Sequence, residues 1–553
     1  MAKKFSNIRE IIEYSSVRFK DRVAFKIKEK KNRVVSYDDV TYERLRDDIE
    51  ALSKYFIAHG LQGKRIAVIG KNSYEWMLVF LAVLCSGGVI VPLDKGLFEC
   101  ELNDQLDRAE ADAIFYPAIF KNFVENRDMV KICTDEDEFR DVLREGYSLE
   151  LDKEYKKIKI DSKAMSILVF TSGTTSESKA VMLSQKNIAA NVYGMSLWEK
   201  FTEDDVNMAI LPFHHTFGMT QIVLFLSYGM CNVFCEGLRI AKCLSEYKVT
   251  VLVAVPRIVD EMYASVIKKL TALNKLGAVK SAIALSTSLR KVNIDIRKKA
   301  FHEIIEAMGG GLRCIIVGAA PANPDVLKWF NDIGILTIQG YGLTETSPVV
   351  AAENETHMRT ASVGFPLPNV KVKIFEPDEN GIGEIIVKGD NVMLGYYKNE
   401  EATAKVMRNG YFHTGDMGYF DKKGYLYITG RQKNVIVLNN GKNVFPEELE
   451  EKIARSPYIE ECMVWADETN EDRMLRGIYV TLRTDKENVR DALGDNADDD
   501  SAVLALVSSE IDKLNAQWPD WKRVKHFVLR KGEFNKTTGM KIRRFVEENK
   551  LAD

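Results

Sequence analysis

The sequence predicts an α/β protein: a large multi-subdomain N-terminal body of parallel sheets flanked by helices, with a β-rich subdomain, followed by a small α+β C-terminal domain. Three features carry this. Short apolar runs alternate with helix-like stretches from Arg65 to Gly340, the pattern of a mostly parallel sheet with helical crossovers. After residue 360 the runs are joined by turn signals instead of helices, which reads as antiparallel hairpins. At 553 residues the chain exceeds what one core serves, and about 100–200 residues per domain gives three or four modules.

In order, RIAVIG (65–70) reads as a buried strand, 72–85 as a helix, VIVPL (89–93) as a strand, 99–109 as a helix and AIFYP (113–117) as a strand. ILVF (167–170), MAILP (208–212), VTVLVAV (249–255), RCIIVG (313–318) and ILTIQG (335–340) continue the series. KVKIFEPDENGIGEIIVKG reads as a hairpin turning at Asp378–Gly381, and YLYITGRQKNVIVLNNGKNVF as a second β stretch turning at Asn440-Gly441. Pro446 opens a helix with acids behind it, as the positive helix N-terminus favours. The acidic, turn-rich DALGDNADDDS (491–501) reads as a solvated loop. The main boundary is expected between Gly430 and Lys433, dividing the chain into 1–432 and 433–553.

Composition excludes several classes. Hydrophobic residues make up 46% and charged residues 28%, ordinary for a globular protein, and the net charge of −3 gives no bulk drive toward nucleic acid or anionic membrane. Eight cysteines without a C-x-x-C pair suggest a reducing compartment and no structural zinc. The first residues read as an amphipathic helix, not a signal peptide. Trp76 to Leu93 is long and apolar enough to span a bilayer, but Ser86-Gly87-Gly88 splits it into a buried helix and a strand. The expectation is a cytoplasmic enzyme with at most peripheral membrane contact.

Five stretches carry chemistry. FTSGTTSESKAVMLS (170–184) joins a strand to small and hydroxylic residues and Lys179, which supply backbone N–H groups, hydroxyls and a cation to a polyphosphate; by itself it is equally a solvated Ser/Thr turn. QGYGLTETSPVV (339–350) follows a strand directly. Its glycines admit a ligand close to the backbone, Tyr341 offers a face for a base, Thr344 a phosphate contact and Glu345 a carboxylate for a hard cation. Asp416 and Arg431, in NGYFHTGDMGYFDKKGYLYITGRQK, suit ribose hydroxyls or form a plain ion pair. FNKTTGMKIRRF contributes Lys541, and LPFHHTFG contributes His214 and His215; alone, each reads as structural.

Together these stretches resemble the adenylate-forming superfamily of AMP-binding enzymes, and in size and motif style most resemble bacterial long-chain fatty-acyl-CoA synthetases. The resemblance runs from the Tyr37 region to Lys541 and implies ATP, Mg²⁺ and coenzyme A. A carboxylate attacks ATP to give an acyl-adenylate and pyrophosphate, and a thiol then takes the acyl group and releases AMP. It implies a phosphate loop of Thr171, Ser172, Gly173, Thr174, Thr175 and Lys179, and adenine walls of Gly318, Ala319, Ala320, Gln339, Gly340, Tyr341 and Gly342. It also implies Thr344 as a phosphate contact, Glu345 as the metal ligand, Asp416 and Arg431 at the ribose, and His215 near the substrate carboxylate. Lys433 is expected as the hinge of a mobile C-terminal domain, Lys541 as the adenylation lysine and Gly441 at the thiol passage.

Three departures from the family pattern stand out. Ser176 and Ala180 replace the later glycines of the phosphate loop, Ser178 replaces its proline, and Asn535 and Met540 replace the proline and glycine before Lys541. A glycine lost where φ is positive would reshape the loop. The stretch Pro212–Gly218 lacks the Asp with which amino-acid-activating members pair an ammonium group, so a fatty or related carboxylate is expected. The acceptor is coenzyme A or an acyl carrier protein. A stand-alone adenylation module and a non-catalytic nucleotide-binding homologue are the alternatives.

Overall fold

The computed structural model describes the chain except residues 1–2, 32–33, 136, 172–177, 236–238, 360, 439–442, 467–476, 537–541, 545 and 552–553. Its contacts divide into two compact units. The first holds most of the chain up to Phe412, and the second holds chiefly Lys373–Ile386 and His413–Asp553.

Two large sheets organise the first unit. One has seven strands in the order Gly395–Tyr396, Lys179–Ser184, Met165–Thr171, Val89–Leu93, Arg65–Ile69, Ala113–Tyr116 and Val130–Cys133. The last five run parallel, and the first two are added antiparallel at one edge. The other has nine strands in the order Phe365–Pro366, Val349–Ala352, Leu336–Gly342, Cys314–Val317, Val251–Ala254, Val206–Ala209, Cys231–Phe234, Val23–Lys31 and Val34–Thr41. Its central six are parallel and both edges are antiparallel.

The long apolar run resolves as the sequence predicts. Ser73 caps the helix Tyr74–Cys85 by accepting the N–H of Trp76, and Ser86 closes it by donating to the Ala82 carbonyl. Gly87 takes φ +75°, and a Cβ on Gly88 would sit 2.9 Å from the Lys64 carbonyl oxygen, so the break needs glycine at both positions. Nearly every residue of this helix is buried, which is why it shows no polar face. Among the described residues no helix is long and apolar enough to cross a membrane, and all eight cysteines are free.

A five-stranded sheet follows, with Lys371–Phe375, Gly383–Lys388, Tyr411–Phe420 and Met407–Arg408 in order and Leu426–Arg431 also paired to Tyr411–Phe420. Its first hairpin turns at Asp378, whose carboxylate accepts the N–H groups of Asn380 and Ile382, with Gly381 at φ +79°. The C-terminal residues build a three-stranded sheet of Ile459–Ala466, Ile478–Thr484 and Val524–Arg530. Leu449, Ile453, Val480, Leu482, Val507 and Ile511 pack as its core. One sequence expectation is corrected here. The acidic run 491–501 is not a loop: it ends the helix Lys486–Leu493, makes a 3₁₀ turn at Gly494–Asp498 and starts the helix Asp500–Asn515, which Asp499 caps. The acids lie where a helix start favours negative charge.

Candidate active site

In the nine-stranded sheet, the chain leaves the parallel strands Val206–Ala209, Cys314–Val317 and Leu336–Gly342 at the same edge, the carboxyl ends where open α/β sheets bind ligands. The segments that leave there are Ile210–His215, Gly318–Ala320 and Leu343–Ser347. Two of the five motif stretches, and the Gly318–Ala320 segment, therefore come to one sheet edge within the first unit.

The turn carrying Glu345 is fixed from several sides. After Gly342 the chain makes a 3₁₀ turn at Thr344–Thr346, Ser347 takes φ +66°, and Val349–Ala352 returns antiparallel. A Cβ on Gly342 would lie 1.9 Å from the Pro348 carbonyl oxygen, so no other residue fits this reversal. Asn191 is fully buried; its amide donates to the Val349 carbonyl at 2.7 Å and accepts the Val349 N–H at 3.2 Å. Asn391 donates to the carbonyls of Thr346 and Val349. Such side-chain amides satisfy backbone groups that no ladder reaches.

Glu345 is half-buried, and its Oε1 accepts the Tyr396 hydroxyl at 2.9 Å. Tyr396 sits on the edge strand paired to Lys179–Ser184, and the Lys179 ammonium lies 4.7 Å from its ring centroid. Lys179, Tyr396 and Glu345 thus form one cluster of cation, phenol and carboxylate. Thr171 donates to the Lys179 carbonyl at 3.2 Å, joining the two ends of the loop. Ser172, Gly173, Thr174 and Thr175 of that loop lie outside the described residues. Ala180 is buried in the apolar core and its φ is not positive, so the missing glycine there needs no accommodation.

Gly318 and Gly340 bring backbone close together: a Cβ on Gly318 would meet the Phe217 ring at 2.9 Å and the Gly340 carbonyl oxygen at 3.6 Å. Ala319 takes φ +72°, and both Ala319 and Ala320 are exposed. Tyr341 and Thr344, which follow Gly340 in the chain, are half-buried. Gln339 is buried; its amide donates to the Ser362 carbonyl and its N–H to Glu353, so its side chain is engaged in structure. Burial pushes the Glu353 carboxyl up to about 7.

His215 occupies the N-cap position of the helix Thr216–Ser227 without a side-chain capping bond, and Gly218 allows the turn, since a Cβ there would lie 2.1 Å from the Pro212 carbonyl oxygen. Asn72 holds the approach by donating to the carbonyls of Ala209 and Leu211 and accepting the Phe213 N–H. The rings of His214 and His215 are 4.2 Å apart, and Asp94 is 3.5 Å from His214. Burial, then the neighbouring His215, push the His214 imidazole down to about 4, leaving it neutral at pH 7.

In the second unit, Asp416 and Arg431 are cross-strand partners, with Nε to Oδ1 at 2.7 Å. Asp416 is nearly buried, and the strand before it is tied by Glu384, which accepts the Gly415 N–H and bonds His413 at 2.6 Å. Lys433 is exposed on a 3₁₀ turn at Gln432–Asn434. Gly441 and Lys541 lie outside the described residues. The flanks of Lys541 are anchored: Lys536 bridges Ile542, Arg543 donates its N–H to Asn535, and the buried Asn549 bonds both the N–H and the carbonyl of Asn535.

Among the described residues no cluster of three His, Cys, Asp or Glu could hold a metal by itself. A single carboxylate does suit Mg²⁺, which binds proteins through one or two carboxylates and takes its other ligands from phosphates and water. Tyr396 engages one Glu345 oxygen, and the second has no hydrogen bond among the described residues. Sequence reasoning missed Tyr396, Asn72, Asn191 and Asn391; they lie in stretches that no motif marks.

Comparison with known proteins agrees in extent. The model of the AMP-binding enzyme family matches residues 12–397, and that of the AMP-binding enzyme C-terminal domain matches 433–552. The long-chain-fatty-acid–CoA ligase FadD15 of Mycobacterium tuberculosis is 25% identical over 93% of this chain and 91% of its own. The 2-succinylbenzoate–CoA ligase of Bacillus mycoides is 30% identical over 81% of this chain and 84% of its own. Among solved structures, ATP-bound MatB from Rhodopseudomonas palustris superposes with a TM-score of 0.75 at 24% identity over 98% of both chains. The o-succinylbenzoate CoA synthetase of Bacillus subtilis with its acyl-adenylate gives 0.73 at 21% over 97% of both, and these two likenesses establish the fold. A family model spanning most of the chain, on a sheet edge that gathers its motifs, makes this protein a member of the AMP-binding enzymes.

Proposed function

We propose that the chain activates a carboxylic acid with ATP and passes the acyl group to coenzyme A, and that its acid is a long-chain fatty acid. The observation that carries this is the Lys179–Tyr396–Glu345 cluster in a unit whose Pro212–Gly218 turn holds no acid to pair an ammonium group. A substrate oxygen attacks the α-phosphorus of ATP, a P–O bond forms, and pyrophosphate departs with its electron pair. The thiol sulfur then bonds the acyl carbon, its proton passes to solvent, the acyl carbon–oxygen bond breaks, and AMP leaves with the bridging anhydride oxygen and its electron pair.

Such displacements are mostly a matter of positioning and charge neutralisation. Lys179 supplies a cation to the phosphates, and Glu345, oriented by Tyr396, would hold Mg²⁺. When bound, Mg²⁺ neutralises phosphate charge. Thr171 to Thr175 and Thr344 contact phosphate, Gly318 to Ala320 and Gln339 to Gly342 bound the adenine, and Asp416 with Arg431 serves the ribose. For Gln339, whose side chain is engaged, the contribution is backbone. His215 orients the carboxylate, Lys541 serves adenylation, and Gly441 the thiol step. In this reading residues 433–553 act as a mobile domain turning at Lys433.

One observation favours a second acid. Gln221, on the helix Thr216–Ser227, is buried with neither amide atom hydrogen-bonded among the described residues, and a polar group on the substrate would satisfy it. That suits an aromatic dicarboxylate of the kind named for the Bacillus relatives. Acids from acetate to palmitate, and 2-succinylbenzoate, supplied with ATP and coenzyme A, separate the readings by thioester mass. Palmitoyl-CoA as the preferred product supports the fatty-acid reading. A preference for 2-succinylbenzoate replaces it, and thioester formation on an acyl carrier protein alone replaces coenzyme A as acceptor.

A further inference from the structure

The connection between the parallel neighbours Val251–Ala254 and Cys314–Val317 is far longer than the dozen or so residues a crossover needs. It contains the helices Pro256–Ala272 and Leu276–Arg290 and a short helix at Arg297–Ala300. Val279 and Ile283 seat the middle helix on the core beneath. The outer surface is unusual in charge. Between Ser265 and Ala300 stand nine Lys or Arg and a single acid, Asp295. That is a net +8 in a chain of net −3, so all other residues together sum to −11. Lys275 pairs with Glu303 and Arg297 with Asp295. Lys269, Lys280, Lys291, Lys298 and Lys299 are exposed and carry no salt bridge among the described residues. Apolar side chains stand among them: Leu273 is 64% exposed, Leu285 57%, Val292 64% and Ile294 49%.

A merely solvated helical surface mixes charge signs and has little use for protruding aliphatics. Basic residues interspersed with exposed aliphatics match an anionic lipid surface, where headgroups attract the cations and the interface accepts the apolar side chains. Nucleic acid fits less well, because Ser265–Ala300 contains no aromatic residue to stack on a base. We propose that this helical face docks the protein peripherally on membranes bearing anionic phospholipid.

Co-sedimentation of the full chain with vesicles tests it, and the readout does not depend on the enzyme's substrate. Wild type should bind phosphatidylcholine vesicles containing phosphatidylglycerol, bind pure phosphatidylcholine far less, and lose binding as salt rises. Each lysine lost should weaken partitioning roughly fivefold, so K280E/K291E/K298E/K299E should lose roughly five hundredfold or more while thioester formation from a soluble acid is unchanged. L273S/L285S should weaken binding and keep its salt dependence. Should the quadruple variant misfold by circular dichroism, the corresponding Lys→Gln variant takes its place. The proposal is overturned if anionic vesicles are not bound, if neutral vesicles bind equally, or if folded charge variants bind like wild type. Lysine-dependent retention on duplex DNA or polyglutamate without vesicle binding would overturn it too.

Discussion

At Glu345 the proposed chemistry and the fold share one side chain. Tyr396 holds one carboxylate oxygen at 2.9 Å, and the same tyrosine presents its ring to Lys179. Glu345→Gln should therefore weaken Mg²⁺-supported adenylation by about 10²-fold with little loss of stability, since losing one charge-stabilising contact typically costs about that much. Turnover unchanged at limiting Mg²⁺ would remove this residue from metal binding. Tyr396→Phe keeps the ring but not the hydroxyl, and should raise the Mg²⁺ requirement while leaving the fold intact. A second residue-scale expectation concerns Glu353. Its folded pKa, about 7, lies above the ordinary 4.5, so burial favours the protonated form. The associated stability is present below about pH 4.5 and is lost as pH rises through 7, a swing of about 3 kcal/mol at most. Glu353→Gln mimics the neutral form, so the variant should gain thermal stability relative to wild type between pH 5 and pH 8. A pH-independent difference between the two would contradict this account of Glu353.

Elements position these residues through contacts between distant parts of the chain. The 344–349 turn is held by Asn191 and Asn391, on separate segments. Asn191→Ala leaves the Val349 N–H without its partner and its carbonyl with Asn391 alone, which should cost about 1–3 kcal/mol. It should also raise KM for ATP, measured beside a denaturation curve; an unchanged KM in a folded variant would show that the turn does not depend on this lash. The strand and helix series from Arg65 to Gly340 was legible because each piece is a local apolar run bounded by caps or turns. Glu345, Lys179 and Asp416, proposed as site residues, stood out in the sequence because they lie in short contiguous motifs. Tyr396 was not: its two-residue strand reaches Glu345 only by pairing with Val181, a long-range choice no window contains. The acidic run 491–501 was misread because turn-type residues there start and stop helices.

At the scale of the molecule, the compact units describe how residues pack, and the proposed division at 432/433 describes how they would move. Half-reactions separate the roles this assigns. Lys541→Ala should lose about 10²-fold or more in adenylation and still convert supplied acyl-adenylate to acyl-CoA; Gly441→Leu should do the reverse. Equal failure of both folded variants in both assays would contradict the division of labour. The central claim, that the chain joins a fatty acid to AMP before any thiol is involved, has a more direct test in ATP–pyrophosphate exchange without coenzyme A. Palmitate should drive Mg²⁺-dependent exchange, with amino acids inactive. Exchange absent with every fatty acid from short to long, yet robust with an amino acid, would contradict it.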